Sequence, residues 1–464
     1  MKINGNPKNH KIDESLRLAG GYGPFAAKQD SESLLRRSVL ACLLWEDNAY
    51  ENGNLIVDNI KKLITQVEPQ KVFDIAIEAR ENQKLRHVPL LIVREMARLN
   101  THKYLVGRLL PKIIKRADEL SEFLAIYWKD GKQPISKQVK IGLSEAFHNF
   151  DEYQFAKWNQ DKEIKLRDVM FLVHPNPKQK NELFKKIAEN NLATPNTWEV
   201  LLSAGNDKKE VWASLINENK LGALAFMRNL RNMEDVGVKR SIIQKGFDLI
   251  NPNWLLPLNY LSAAQHAPTW EREIETLMLR GFANTPKLSG HTIFIVDVSG
   301  SMGGNISGKS NFSRLDVASA MALITSESCE HVSIYATAGN DGSRVHKTKK
   351  MKPRRGFALC EDIKNMQREL GSGGIFTRQC LEYIKENETE KPDRIIVFSD
   401  SQDCDYTNQR IPNPFGVKNY IVDVSSNSHG INYDGVWTAE ISGWSEQFLN
   451  YIFAYEGINI TQEE

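Results

Sequence analysis

HTIFIVDVSGSM, residues 291–302, consists of the apolar run HTIFIV followed by an aspartate and a small polar loop. Such a run of β-branched and aromatic residues predicts a buried strand. Three further runs of this kind follow it, HVSIYAT (331–337), RIIVFS (394–399) and VKNYIVD (417–423). Helix-type segments such as RLDVASAMALITSE separate these runs. The alternation predicts a doubly wound α/β domain with a mostly parallel sheet over residues 288–464.

The predicted strands HTIFIV and RIIVFS are each followed directly by an aspartate, Asp297 and Asp400. The carboxyl ends of parallel strands meet at one edge of a sheet, where ligands bind in α/β folds. After the first strand, Ser299 and Ser301 alternate with other residues, so their hydroxyls and the Asp297 carboxylate face the same side. Carboxylate and hydroxyl oxygens suit a divalent cation, with Mg²⁺ preferred and Mn²⁺ as the alternative. Neutral hydroxyls leave the ion with spare positive charge for an acidic ligand on a partner protein.

The same loop also satisfies a phosphate-loop pattern. Residues Gly303–Ser310 read G-x-x-x-x-G-K-S, and IIVFSD (395–400) is similar to the strand that carries a magnesium-binding aspartate in nucleotide hydrolases. In those proteins the first glycine follows the strand directly and the helix begins at the Lys-Ser pair. Here DVSGSM intervenes, and Ser313 is the better N-cap residue. An NTPase is therefore retained only as the last alternative.

The chain before residue 281 has a different period. Segments such as LLRRSVLACLLWED (34–47) and PLLIVREMARL (89–99) place apolar residues at three- and four-residue steps. Short breaks rich in Gly, Pro, Asn and Asp separate them. This pattern predicts consecutive antiparallel helices stacked as an α-solenoid. The strand pattern begins after FANTPKLSG, residues 282–290.

Composition limits the classes of function. The 464 residues suffice for roughly two to three domains, and 60 Lys plus Arg against 58 Asp plus Glu leave a formal charge of +2. A nucleic-acid surface must therefore be a local basic patch. Five scattered cysteines indicate free thiols, and no apolar leader or membrane span is visible. Since hydrolase motifs are also absent from the sequence, we expect a cytoplasmic, non-enzymatic protein without a membrane partner.

Taken together, the motifs resemble two known modules. DVSGSM, the loop GSGGIFT (371–377) and FSDSQD (398–403) resemble a von Willebrand factor A-type domain with its metal-ion-dependent adhesion site. Five stretches resemble the TROVE module of the Ro autoantigen family: LLRRSVLACLLWEDNAYENG (34–53), LRHVPLLIVREMARL (85–99), LRDVMFLVHPNPK (166–178), TWEVLLS (197–203) and ENKLGALAFMRNLRNM (218–233). The resemblance implies an N-terminal segment (1–30), a ring of HEAT-like helical repeats that binds RNA (31–287) and an A-type domain (288–464).

By the A-type pattern, the metal ligands are Asp297, Ser299, Ser301 and Asp400. The family places a threonine almost directly after the two glycines of the second loop. Ile375 occupies that position here, and Thr377 lies two residues further on. Thr377 takes the role if the path of the loop shifts.

The Ro resemblance implies binding of small structured noncoding RNA, such as Y-type RNA, on an outer basic surface. It also implies that single-stranded 3′ ends of misfolded RNA enter the central hole and that an exoribonuclease is a partner, whereas DNA is not expected. Lys157 and His174 carry over as contacts to structured RNA. The sequence departs from the family at Asp161, for which Lys162 and Lys165 could compensate.

The pattern of cations points to the same region independently. Arg108, Lys112, Lys115 and Arg116 have helical spacing and predict one basic stripe that follows phosphates. Lys220 and Arg228 fall in an apolar-periodic segment, where they either contact RNA in a cavity or extend from a helix edge into solvent. For all of these cations the alternative is an ordinary solvated helix face.

Overall fold

A computed structural model of the chain describes most of residues 31–458. The described ranges are 31–41, 53–81, 85–159, 161–178, 180–195, 197–283, 285–306, 310–405, 412–425, 436–442, 448–449, 452–453 and 456–458. They form two compact units, with the boundary after Ala283. The predicted N-terminal segment, residues 1–30, lies outside the described residues. No described helix is long and apolar enough to cross a membrane.

The first unit consists of consecutive α-helices, and its described residues contain no strand. The helices are α1 (Ser31–Ala41), α2 (Gly53–Ile64), α3 (Pro69–Glu81), α4 (Val88–Arg98), α5 (Val106–Ile113), α6 (Asp118–Tyr127), α7 (Lys137–Ala146), α8 (Glu152–Trp158), α9 (Leu166–Val173), α10 (Asn181–Ala188), α11 (Trp198–Ser203), α12 (Lys208–Asn217), α13 (Ala223–Asp235), α14 (Arg240–Leu249), α15 (Pro257–His266) and α16 (Glu271–Phe282). The predicted run of helices is confirmed. Closure of these helices into a ring stays a prediction.

Helix α4 is buried on almost every side. All of its residues from Val88 to Ala97 are buried, and it contacts α2, α3, α5 and α6. A helix that is apolar nearly all round belongs in a core. Its two buried charges, Arg94 and Glu95, lie 3.0 Å apart as an ion pair. The segment PLLIVREMARL therefore forms the centre around which the neighbouring helices pack.

A buried ion pair connects α3 with the start of α6. Nη2 of Arg80 donates to both carboxylate oxygens of Glu119, at 2.8 and 3.0 Å. The Glu119 carboxylate also accepts the backbone N–H groups of Lys115 and Arg116, at 2.8 and 3.1 Å. Because these amides bond to a side chain instead of a helical carbonyl, α5 does not extend past Ile113.

The described residues of the second unit form a six-stranded sheet with helices. Its elements are β1 (Leu288–Asp297), α17 (Arg314–Glu327), β2 (Cys329–Asn340), β3 (Val345–Lys350), α18 (Phe357–Leu370), α19 (Thr377–Asn387), β4 (Arg394–Ser399), β5 (Lys418–Asp423) and β6 (Ala439–Ser442). The strand order is β3-β2-β1-β4-β5-β6. β3 is antiparallel to β2, and the other pairs are parallel. This order confirms the predicted doubly wound α/β class.

Two strands, β3 and β6, were not predicted, and both lie at edges of the sheet. β3 has the sequence VHKTKK, and its side chains are exposed or half-buried. Lysines on an edge strand discourage pairing with other chains, but they remove the apolar signal by which a strand is recognised. β6 has only four residues, AEIS. The four strands with continuous apolar runs were predicted because they are buried inside the sheet.

Candidate metal centre and nucleic-acid interface

Asp297 is the last residue of β1 and is fully buried. Its Oδ1 accepts the backbone N–H of Ser299 at 2.8 Å, and its Oδ2 accepts the hydroxyl of Ser399, at the end of β4, at 2.6 Å. Burial and the negative charge of Asp400 raise the pKa of Asp297 to about 7. The ends of β1 and β4 thus bring two carboxylates close enough to repel each other, as expected for the edge of a parallel sheet.

The loop after β1 places two hydroxyls beside this carboxylate. The Oγ atoms of Ser299 and Ser301 lie 3.1 Å apart. Gln367 of α18 holds the loop, since its Nε2 donates to the Ser299 carbonyl at 2.8 Å. Gly300 is packed so closely that a Cβ there would lie 2.7 Å from the Ser372 carbonyl oxygen. The loop is therefore held by contacts with α18 and the segment after it, in addition to its own 3-10 turn over Gly300–Gly303.

Thr377 is the first residue of α19 and is 1% exposed. Its backbone N–H donates to Oδ1 of Asp403 at 3.3 Å, but its hydroxyl has no hydrogen-bond partner among the described residues. Ile375 is also 1% exposed, and its carbonyl accepts the N–H of Cys404 at 2.8 Å. The side chain of Ile375 thus packs as a core residue. Of the two, only Thr377 has a side-chain oxygen that could serve as a ligand.

Asp400 directly follows β4 and is fully buried. Its Oδ2 accepts a hydrogen bond from Nη1 of Arg314 at 2.5 Å. Arg314 is the first residue of α17, and its side chain is 7% exposed. A buried cation of the protein therefore already neutralises the second carboxylate of the predicted site.

The donor set fits a divalent cation in its chemistry. Among the described residues, no group of three or more His, Cys, Asp or Glu side chains is arranged to hold a metal. A site made of one carboxylate and several hydroxyls is compatible with that finding, and hard cations accept such oxygens. A bound cation would satisfy the buried Thr377 hydroxyl and would offset the buried negative charge of Asp297. Asp297, Ser299, Ser301 and Thr377 are the residues that would hold it.

The start of α17 argues against the phosphate-loop alternative. Ser307, Gly308 and Lys309 lie outside the described residues. The helix begins at Arg314, with Ser313 as its N-cap accepting the Asp316 N–H, as the capping pattern predicted. A phosphate loop needs the N-terminus of the helix at its Lys-Ser pair. The first turn of α17 is instead closed by its own capping box.

In the helical unit, the prediction of one basic stripe is wrong. Arg108 and Lys112 are exposed on α5, but Lys115 and Arg116 lie beyond its end at Ile113. The buried Glu119 carboxylate, which takes the N–H groups of both residues, is the cause. The four cations therefore belong to a helix and to the loop that follows it.

Five of the predicted RNA contacts are already paired with carboxylates. Their partners are Glu81 for Lys115, Asp118 for Arg116, Glu122 for Lys162, Asp161 for Lys165 and Glu218 for Lys220. Surface pairs of this kind are weak, but each one reduces the positive potential available to a phosphate. In particular, Lys165 binds Asp161 at 2.7 Å, so Asp161 takes up one of the two charges expected to compensate for it.

The other predicted contacts remain available. Arg108, Lys112, Lys157 and Arg228 have no ion pair with any described carboxylate. His174 is exposed and ends α9 in the left-handed conformation, with φ of 47°.

The position of Lys220 differs from the prediction. It lies in the turn between α12 and α13, because Asn219 takes a φ of 52° and Gly222 is the N-cap of α13. Arg228 is exposed on α13 itself, as the pattern of that helix predicted.

Comparisons with known proteins gave matches that include residues of both units. The TROVE domain family model matches residues 189–355, which run from the end of α10 to beyond β3. The solved structure of the Ro (RSR) protein of Deinococcus radiodurans matches with a TM-score of 0.58, covering 93% of this chain and 100% of that chain at 16% identity. Part of the chain is thus similar to the TROVE domain family, and its fold is similar to that of the Ro protein. A comparison with curated protein sequences gave no significant match.

The TROVE match contains two of the five stretches that suggested it, TWEVLLS (197–203) and ENKLGALAFMRNLRNM (218–233). The stretches at 34–53, 85–99 and 166–178 precede the matched residues, and the match continues into the α/β unit. The Ro fold nevertheless covers both units, so the expected resemblance and its order are confirmed.

Four buried residues at the sheet edge of this Ro fold were missed from sequence: Arg314, Asp403, Asp405 and Asp423. Asp403 and Asp405 accept the N–H groups of Thr377 and Gln379, which closes the N-terminus of α19. Asp423-Val424-Ser425 repeats Asp297-Val298-Ser299, and in both cases the aspartate accepts the serine N–H. That repeat in the sequence could have identified Asp423. Nothing in the sequence marked Arg314, since its partner is 86 residues away.

Proposed function

We propose that this protein is the RNA-binding component of a ribonucleoprotein, which binds small structured noncoding RNA and the single-stranded 3′ ends of misfolded RNA. The observation that carries the proposal is a repeated pairing of an exposed aromatic ring with a candidate RNA contact. Tyr153 precedes Lys157 by four residues on α8, and Phe171 precedes His174 by three at the end of α9. Tyr153 and Phe171 are 48% and 53% exposed.

Residues four apart share a face of an α-helix, so Tyr153 and Lys157 lie on one side of α8. Tyr104, 59% exposed, lies four residues before Arg108, in the 3-10 turn that leads into α5. Unpaired bases stack on exposed rings, and adjacent cations bind the phosphates. The TROVE domain and the Ro fold support RNA as the ligand, and the proposed role is binding without catalysis.

The test uses a structured RNA with a free 3′ tail, measured by fluorescence anisotropy across a salt series. We expect affinity to fall steeply with salt. Lys157→Gln should weaken binding and reduce the salt slope by about one. Tyr153→Ala should weaken binding by roughly 1–3 kcal/mol with little change in slope, because stacking releases no counterions. Absent or salt-insensitive binding would overturn the proposal.

Helix α13 offers a matched control. Arg228 and Arg231 are both exposed, but Arg231 pairs with Asp235 of the same helix at 3.7 Å. Arg228→Gln should weaken binding more than Arg231→Gln if unpaired cations contact the phosphates. Equal effects would indicate that only the total charge matters.

A second function is favoured by the partnerless hydroxyl of Thr377: metal-dependent binding of an acidic protein ligand at the edge of the sheet. Bound Mg²⁺ or Mn²⁺ would present a positive site to a carboxylate of the partner. A pull-down that survives ribonuclease but is lost with EDTA, and with Asp297→Ala, would support this function. Capture that requires intact RNA would instead assign the partner, for example an exoribonuclease, to the RNA. The same experiment therefore decides whether the partner binds the metal site or the RNA.

A further inference from the structure

The side chain of Arg314 runs beside the predicted metal loop. The N–H of Arg314 donates to the Gly304 carbonyl at 2.9 Å, and the N–H of Gly304 donates to the Ser301 carbonyl at 3.1 Å. A Cβ on Gly304 would lie 2.3 Å from Nη2 of Arg314. The absence of a side chain at Gly304 therefore leaves the room that the guanidinium needs to pass the loop.

At its far end, the guanidinium reaches Oδ2 of Asp400 at 2.5 Å. Both side chains are buried, at 7% and 0% exposed. A buried ion pair keeps its partners together, because separating them leaves an uncompensated charge in a medium of low dielectric constant. Asp400 is thus held by Arg314 at the same edge of the sheet as Asp297, Ser299 and Ser301.

We propose that Arg314 competes with the divalent cation for Asp400, and so determines how tightly the site binds metal. The proposal rests on the metal site proposed above. With Arg314 in place, the cation meets one uncompensated carboxylate, Asp297, and the neutral hydroxyls of Ser299, Ser301 and Thr377. The result is a site of weak metal affinity that depends on the ligand of the partner for tight binding.

The experiment is a titration of the full chain with Mn²⁺ alone, after removal of bound metal with a chelator, followed by calorimetry and by the electron paramagnetic resonance signal of free Mn²⁺. We expect Arg314→Gln to bind Mn²⁺ at least tenfold more tightly than the unchanged chain. Arg314→Gln combined with Asp400→Asn should return to within about threefold of the unchanged chain. Tight binding that persists in the double variant would overturn the proposal, because the gain would not come from Asp400.

Two controls separate charge from position. Arg354→Gln removes a positive charge from an exposed ion pair with Asp362 in the same unit, and it should leave Mn²⁺ affinity unchanged. Arg314→Lys retains the charge and should stay close to the unchanged chain. A gain in affinity in either control as large as in Arg314→Gln would overturn the proposal.

Gly304→Ala keeps the test decisive if Arg314→Gln fails to fold, as judged by circular dichroism. The new methyl group presses on Nη2 without altering any charge, so it should also tighten Mn²⁺ binding. If the folded variants bind Mn²⁺ no more tightly than the unchanged chain does, Arg314 does not compete. If neither the unchanged chain nor Arg314→Gln binds Mn²⁺ at all, the metal site itself is refuted.

Discussion

The guanidinium of Arg116 lies 3.6 Å from the centre of the Trp158 ring. The same guanidinium donates through Nε and Nη2 to the two carboxylate oxygens of Asp118, at 3.1 and 2.9 Å. Arg116 therefore links the loop after α5 with the end of α8 and the start of α6. A cation that is stacked on one side and paired on another contributes to packing as much as to the surface potential.

We expect Arg116 to act on stability more than on RNA affinity. Arg116→Gln should lower the free energy of unfolding of the helical unit by about 1–2 kcal/mol, because it removes the stacking and the ion pair together. A double-mutant cycle with Trp158→Leu, followed by urea denaturation, should give a coupling energy of roughly 0.5–2 kcal/mol. The salt slope of RNA binding should hardly change. A drop in that slope as large as that of Lys157→Gln would show that Arg116 contacts a phosphate.

Glu119 should be among the most sensitive positions of the helical unit. Glu119→Gln removes the buried partner of Arg80 and a charged acceptor for two backbone amides. We expect a loss of about 3–5 kcal/mol, because a buried guanidinium is left uncompensated. Glu81→Gln is the matched control, since Glu81 forms a more exposed pair with Lys115 and should cost about 1 kcal/mol or less. Equal losses in a urea titration would contradict this assignment.

We expect the helical unit to lose stability in acid because of Glu122. Burial alone would raise its pKa, but the hydrogen bond from His87, the charge of Arg86 and the hydrogen bond from Lys162 outweigh burial and lower the pKa to about 2. Its usual value is 4.5. Since the folded state holds this proton more weakly than the unfolded state, its contribution is fully present above pH 4.5 and is lost as the pH falls towards 2.

Glu122→Gln should therefore cost roughly 2 kcal/mol near pH 7 and almost nothing near pH 2. The measurement is urea denaturation of both proteins at several pH values between 2 and 7. A difference that stays constant with pH would mean that shape, not charge, makes this position important.

Without metal, we expect Asp297 to have the opposite effect, so that the α/β unit loses stability as the pH rises. Burial and the charge of Asp400 raise its pKa from 3.8 to about 7. The folded state then binds the proton more tightly than the unfolded state, so stability is fully present below pH 3.8 and is lost as the pH rises through 7. In EDTA, Asp297→Asn should raise the melting temperature of the α/β unit at pH 8 relative to the unchanged chain. The gain should shrink as the pH falls to 5, and a gain independent of pH would contradict the prediction.

The elements with strong local patterns could be predicted from the sequence. The buried strands β1, β2, β4 and β5, and the start of α17 after Ser313, follow from apolar runs and a capping box. The candidate ligands Asp297 and Asp400 follow from their positions at strand ends. The edge strands β3 and β6 do not, because an edge strand needs no apolar face to pair with its neighbour.

The state of each charge depended on contacts between distant segments. Spacing alone predicted that Lys115 and Arg116 continue α5, but the buried Glu119 ends that helix by capturing their amides. Lys162 and Lys165 carry the charges expected of RNA contacts, and both are paired with carboxylates. The residues next to a lysine in the sequence therefore do not show whether that lysine is available to a phosphate.

The sequence by itself determined the two classes of structure, the order of the units and the edge of the sheet at which Asp297 and Asp400 lie, because each depends on periodicity and on where strands end. Only the tertiary structure decided that Arg314 is the partner of Asp400 and that the hydroxyl of Thr377 is buried without a partner. These facts arise from packing between segments far apart in the chain. Electrostatic interactions depend on distance and burial in space, which spacing along the sequence does not specify.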